Sequence, residues 1–241
     1  MRFVLTLFAF LALVVVPINQ PTSAPRFSDG ELIDGFMQTV FGSENFWVSA
    51  AAKHRVSKFT GPVRVHVVDM AGSRRSGTVR KFVRDLNRRI ANLQMVSVKS
   101  STSANYTVFL VRRSDYASVI RGVLPNVRTR FLEQAACSGI AFLESGGGIT
   151  EAMAFVVADE GRHMFQHCMV EEILQGLGPS NDSPKLVHSI FNDRNGIDTF
   201  TVFDRYIMNM LYHPAIRPGM TRNQVRRVLP GVVQDVRRTL G

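Results

Sequence analysis

The sequence predicts a single α+β domain, with no internal repeat and no second domain. Three patterns indicate this class. Residues 62–68 alternate valine with polar residues, as in a half-buried strand, and residues 77–90 place apolar side chains at helical spacing. Residues 145–148, with the sequence SGGG, separate two apolar segments and are typical of a hairpin turn. At 241 residues and 45% hydrophobic content, the chain can bury one sizeable core.

The first half of the chain is predicted to mix helices and strands. Residues 31–41 carry apolar side chains at helical spacing, which predicts an amphipathic helix before the strand at 62–68. The remaining elements follow in chain order: the helix at 77–90, strands at 94–98 and 106–112, a short helix at 114–121, and the hairpin strands at 137–143 and 149–158.

The second half is predicted to be helical. Val170, Ile173, Leu174 and Leu177 form an apolar stripe on a helix centred on residues 171–178, which Gly178-Pro179 should end. A further helix is predicted at 204–212. Thr221 and Gln224 form a capping box that opens the last helical stretch, and we expect Pro230 to break that stretch.

The formal net charge of +10 favours anionic partners. We expect no nucleic-acid partner, because no run of Lys and Arg is interleaved with aromatic residues. The final helical stretch is basic, and it either contacts an anionic membrane peripherally or presents a solvated basic face. Its arginines are Arg222, Arg226, Arg227, Arg237 and Arg238.

The first 24 residues have the pattern of a secretory signal peptide. Arg2 precedes an apolar core at 3–16 that is short for a membrane span, and small residues precede Pro25. Cleavage after Ala24 would leave a single domain at 25–241, although a retained anchor stays open. In an exported protein, Cys137 and Cys168 are expected to form a disulfide; two buried thiols are the alternative.

The helix at 171–178 carries a pattern that suggests a degenerate metal site. Glu171 and Gln175 lie one turn apart with Glu172 beside them, as in zincin helices, where two histidines hold zinc and a glutamate activates water. Glu171, Gln175 and Asn181 occupy the ligand positions of the metzincin pattern HExxHxxGxxH, and Glu172 occupies the general-base position. The sequence Ser189-Ile190-Phe191 resembles a Met-turn with phenylalanine replacing methionine.

The chain is identified as a member of DUF2927, a family of uncharacterised exported bacterial proteins. The resemblance covers nearly all of the mature chain and includes EExxQxLGxxND at 171–182, SIFND at 189–193 and GMT at 219–221. It implies a zincin-like, specifically metzincin-like, α+β fold with a mixed sheet packed on helices and an added C-terminal helical segment. It also implies a periplasmic or secreted protein of the Gram-negative envelope.

No metal and no cofactor are expected at the ligand positions, because neutral amide oxygens are poor ligands for zinc. Glu171, Gln175, Asn181 and Asp182 would instead form a buried hydrogen-bond network. Gly178, Asp182, Ser189 and Asp193 are expected to support this site. A rival metal site, on a continuous helix, would combine His163, His167 and Glu171.

These patterns predict a pseudoenzyme, with a binding or structural role in the cell envelope. Its partner would be an envelope protein or a polyanionic envelope component. The alternative is a metal-dependent hydrolase or peptidase with unconventional ligands, in which Glu172 acts as the general base.

Overall fold

A computed structural model describes residues 27–42, 54–125 and 135–240. The predicted signal peptide lies outside the described residues. The helices are α1 (Asp29–Val40), α2 (Ser76–Arg89), α3 (Tyr116–Val123), α4 (Gly161–Gln175), α5 (Val202–Leu211) and α6 (Arg222–Leu240). The strands are β1 (Val63–Asp69), β2 (Met95–Ser97), β3 (Tyr106–Val111), β4 (Ser138–Leu143) and β5 (Ile149–Val157). The predicted α+β class is confirmed.

The five strands form one mixed sheet in the order β2-β1-β3-β5-β4. Strands β2, β1, β3 and β5 are parallel, and β4 pairs with β5 in the antiparallel sense. The predicted hairpin is therefore confirmed, and its glycine-rich turn joins the sheet edge to the neighbouring strand. Antiparallel β4 is an edge strand that runs beside helix α4.

Helices cover both faces of the sheet. Helix α3 packs on one face through a small cluster that includes Tyr116, Ile120 and Phe155. The larger cluster combines the opposite face with the other helices, where α2 packs on β1 and β2, and α4 packs on β4 and β5. Helices α1, α5 and α6 pack against one another. Most of the second half of α4 is buried, so this helix is part of the core rather than an amphipathic cover.

Two differences from the predicted helices concern the end of α4 and the course of α6. Helix α4 ends at Gln175 rather than at Gly178, because its last turn tightens: Gly178 N–H donates to Gln175 O at 3.0 Å. Helix α6 continues through Pro230, so the predicted break is wrong. Pro230 is exposed, and buried Leu229, Val232, Val233 and Val236 hold the helix on the core on both sides of the lost backbone bond.

Within the described parts of the chain, no helix is both long enough and apolar enough to cross a membrane.

A buried lysine fixes the segment that precedes β1 to the end of α5. Lys58 is only 8% exposed, and its Nζ donates to Leu211 O at 3.0 Å and to His213 O at 3.4 Å. These carbonyls lie at the negative end of the α5 dipole, which favours a cation. Burial nevertheless lowers the pKa of Lys58 to about 8.

We therefore predict that Lys58 makes unfolding pH-dependent in the alkaline range. Because the unfolded lysine keeps its proton up to a pKa near 10.4, the unfolded state binds more protons between the two pKa values, and stability rises with pH there. Relative to Lys58→Met, the wild-type free energy of unfolding should rise by about 2 kcal/mol from about pH 7 to about pH 9.5 in urea titrations. Exposed Lys81→Met is the control; equal pH profiles for wild type and Lys58→Met would contradict the prediction.

Candidate functional site

A disulfide attaches helix α4 to the start of edge strand β4. Cys137 and Cys168 are bonded with an Sγ–Sγ distance of 2.09 Å and a Cα–Cα distance of 5.7 Å. The predicted pairing is confirmed. Disulfides persist in oxidising compartments, so the bond indicates such an environment for the folded chain. It places the second half of α4 directly beneath β4.

Glu172, at the predicted general-base position, is buried beneath this strand. It is 5% exposed, and a Cβ added to Gly139 of β4 would lie 3.0 Å from Glu172 Oε2. Tyr106 on the central strand β3 donates its hydroxyl to Glu172 O at 2.9 Å and to Ile173 O at 3.0 Å. Burial is the main reason that the pKa of Tyr106 is raised, and the Glu172 charge adds to it. The sheet therefore holds both the backbone and the side chain of Glu172.

Glu171 faces a histidine one turn earlier. Helix α4 already begins at Gly161, so His167 and Glu171 share one helix face, and His167 Nε2 lies 3.1 Å from Glu171 Oε2. The hydrogen bond to Glu171 raises the pKa of His167 to about 9. Burial raises the pKa of Glu171, although His167 opposes the rise. The negative charge of Asp193, which has a carboxylate oxygen within 4.8 Å of Glu171, raises it further.

The rival site built on His163 is not assembled. His163 is largely exposed, and its Nδ1 lies 2.9 Å from Asp198 Oδ2, on the loop after α4. Asp193, rather than His163, completes the set around His167 and Glu171.

The side-chain amides of Gln175 and Asn181, at two of the expected ligand positions, donate hydrogen bonds to different partners. Gln175 Nε2 donates to both carboxylate oxygens of Asp182, at 3.2 and 3.1 Å. Asn181 Nδ2 donates to Gln38 O of helix α1 at 2.8 Å. The structure thus brings Gln175 and Asp182 together, but each of the three ligand positions has a different partner. These residues do not fit a zinc ion, because the amides donate hydrogen bonds here and amide oxygens bind zinc poorly.

Gly178 has a backbone role close to the site. Its φ is +134°, and an added Cβ would lie 2.2 Å from Ser57 O, so only glycine fits there. Beside it, Tyr212 donates its hydroxyl to Leu177 O at 2.9 Å. These contacts tie the end of α4 to α5 and to the segment that precedes β1.

The turn at Ser189 is organised by a residue that sequence reasoning missed. Asp204 is fully buried and accepts hydrogen bonds from Ser189 Oγ at 2.6 Å, Ile190 N at 3.2 Å and Thr201 N at 3.0 Å. Burial raises the pKa of Asp204, and these hydrogen bonds oppose the rise. Thr201 and Asp204 form a capping box for α5, a sequence signal from which this aspartate could have been found.

The fold and the site define an α+β protein in which a buried helix carries carboxylate and amide side chains that bond to other parts of the protein. The family described as "Protein of unknown function (DUF2927)" matches residues 29–231, and the chain belongs to it. No curated protein and no solved structure matches the chain.

We predict that Asp204→Asn destabilises the protein by about 1–3 kcal/mol, because an amide group offers hydrogens to donors that need acceptors. Urea unfolding of the oxidised protein measures the change. Asp34→Asn removes the same charge from an exposed position of α1 and should leave the free energy of unfolding almost unchanged. Equal losses in the two variants would show that charge, not the buried bonds, matters.

Proposed function

We propose that this chain is an exported envelope protein whose degenerate zincin-like domain acts by binding and not by hydrolysis. One observation carries the proposal: the residue at the general-base position, Glu172, is buried beneath β4. A general base must reach a water molecule and the substrate within hydrogen-bond distance. Glu172 is covered by the edge strand, and the disulfide holds that strand in place.

The order of the elements supports the zincin-like interpretation. Strand, helix, two strands and a hairpin precede α4, and the turn at Ser189 and helix α5 follow it, in the order that the resemblance implies. Asp193, at the end of the SIFND segment, contacts Glu171 on α4. The turn therefore lies against the site helix, as a Met-turn counterpart should.

The chemistry of the ligand positions supports loss of the zinc-dependent reaction. Gln175 donates a hydrogen bond from its amide to Asp182, and Asn181 donates one to the backbone of α1. Rotating either side chain toward a common ion would leave a buried or half-buried group without its partner, which costs free energy. The pattern is thus converted from metal binding to structural hydrogen bonding.

The place of action follows from two features. The disulfide indicates an oxidising compartment, and the N-terminal 24 residues have the composition of a signal peptide. Together they support a periplasmic or secreted location.

The proposal predicts that the oxidised protein does not cleave a fluorescent casein or a mixed peptide library, with or without added Zn²⁺. Glu172→Gln should behave like wild type, because Glu172 has no reaction to support. A zinc peptidase assayed in parallel shows that the substrates are cleavable. Hydrolysis by the wild type that is lost in correctly folded Glu172→Gln would overturn the proposal and establish the hydrolase alternative.

The basic surface suggests an anionic partner in the envelope. Three arginines of α6 are engaged within the domain: Arg222 donates to Met37 O, Arg237 pairs with Asp29, and Arg238 pairs with Asp235. They tie α6 to α1 or stay within the helix. Arg226 and Arg227 are exposed and are therefore the residues through which this helix would contact a polyanion.

We predict salt-dependent binding to vesicles that contain anionic lipid, since screening shortens the reach of exposed charges. The double variant Arg226→Gln, Arg227→Gln should bind several-fold more weakly in a sedimentation assay at low salt. Lys81→Gln, Arg84→Gln removes the same charge from the exposed side of α2 and is the matched control. Absence of binding at low salt, or equal loss in both double variants, would exclude α6 as the contact surface.

A further inference from the structure

Three metal-ligating side chains meet one turn before the expected ligand positions. One ligand atom each from His167, Glu171 and Asp193 lies within 4.8 Å of the other two. His167 and Glu171 come from α4, and Asp193 comes from the loop that follows it. We refer to these three residues as the His167 cluster.

We propose that the His167 cluster is a binding site for a divalent transition-metal cation, with Zn²⁺ as the best-suited ion. Imidazole nitrogen together with carboxylate oxygen is a donor set that zinc accepts, and three protein ligands leave a position for water. This site goes beyond the proposed function. It uses Glu171 but neither Gln175 nor Asn181, and it needs no catalytic role for Glu172.

The histidine is oriented as a metal ligand would be. His167 Nδ1 lies 2.7 Å from Ile197 O, and since a carbonyl oxygen only accepts, Nδ1 carries the hydrogen. The Nε2 atom is thereby aimed at Glu171 Oε2, 3.1 Å away. Ligands bound at about 2.0–2.1 Å in a tetrahedron lie roughly 3.4 Å apart, so this pair needs little movement to share an ion. A backbone carbonyl on the second ring nitrogen is a common outer partner of metal-bound histidine.

Glu171 supplies an independent observation that points to a ligand. The residue is 4% exposed, and its Oε1 atom is buried without a hydrogen-bond donor among the described residues. A buried carboxylate oxygen normally has a partner, because removing it from water is costly. The neighbouring group is the carboxyl of Asp193, which brings a second negative charge instead of a donor. A cation between them satisfies both oxygens.

The cluster is also accessible from one side. Asp193 is exposed, whereas Glu171 is buried and the side chain of His167 is 18% exposed. An ion can therefore enter past Asp193 and keep water on its open side. Once bound, it would connect α4 to residues 193–197, which the His167–Ile197 hydrogen bond also links to this helix.

The test is a Zn²⁺ titration of chelator-treated, oxidised protein by calorimetry, with Co²⁺ absorption as a second measurement of coordination. We expect one ion per chain and visible Co²⁺ bands that added Zn²⁺ removes. Asp193→Asn should weaken binding about tenfold or more, and it alters an exposed residue, so the fold should persist. His167→Gln and Glu171→Gln should abolish the Co²⁺ bands, provided that near-ultraviolet circular dichroism shows native packing.

A neighbouring histidine–aspartate pair gives the matched control. His163→Gln and Asp198→Asn remove a pair of the same chemistry from the exposed start of α4 and the same loop. Binding should stay unchanged in both. Absence of stoichiometric binding, or binding that survives Asp193→Asn and disappears in His163→Gln, would refute the site and leave His167 and Glu171 as an ion pair only. These outcomes do not depend on the casein assay, so the two proposals fail separately.

Discussion

The burial of helix α4 is the constraint on which most of the structure depends. Its second half lies between the sheet and the loops that follow it, yet it carries two carboxylates, Glu171 and Glu172. Polar groups removed from water need hydrogen-bond partners, so α4 restricts which residues can lie around it. Gly139 leaves space for the Glu172 side chain, and Tyr106 bonds to the backbone carbonyls of α4. Gly176 is equally necessary, because a Cβ there would lie 2.1 Å from the Tyr106 hydroxyl.

Polar contacts also determine how the segments after α4 are attached to the domain. Asn181 reaches Gln38 O of helix α1, 143 residues earlier in the chain, and Ser183 Oγ donates to Gln38 Oε1 at 2.7 Å. The buried carboxylate of Asp204 then accepts hydrogen bonds both from the turn at Ser189 and from the start of α5. Segments without regular structure are thus held by hydrogen bonds to rigid helices.

The sequence predicted the elements well where their signal was local. Alternating valines predicted β1, apolar stripes at helical spacing predicted α1 and α2, and the glycine run predicted the turn between β4 and β5. The start of α4 was not predicted, because Gly161, Arg162 and His163 are exposed and extend no apolar stripe toward the N-terminus of the helix. The partners of the site residues were also inaccessible, since Asn181–Gln38 and Glu171–Asp193 depend on tertiary packing. Pro230 was misjudged because apolar packing on both sides outweighs one lost backbone bond.

The geometry of Glu171 shows which neighbour on helix α4 its carboxylate interacts with. On a helix, Glu171 has neighbours on its face both one turn before and one turn after it, at His167 and Gln175. Its Oε2 atom is directed to His167, while Gln175 is bonded to Asp182. Glu171 and Gln175 therefore share a helix face but interact with different partners. The Glu171 carboxylate interacts with the imidazole of His167 and not with the amide of Gln175. Any ion bound there would join α4 to the loop at Asp193, while Glu172 lies buried beneath β4.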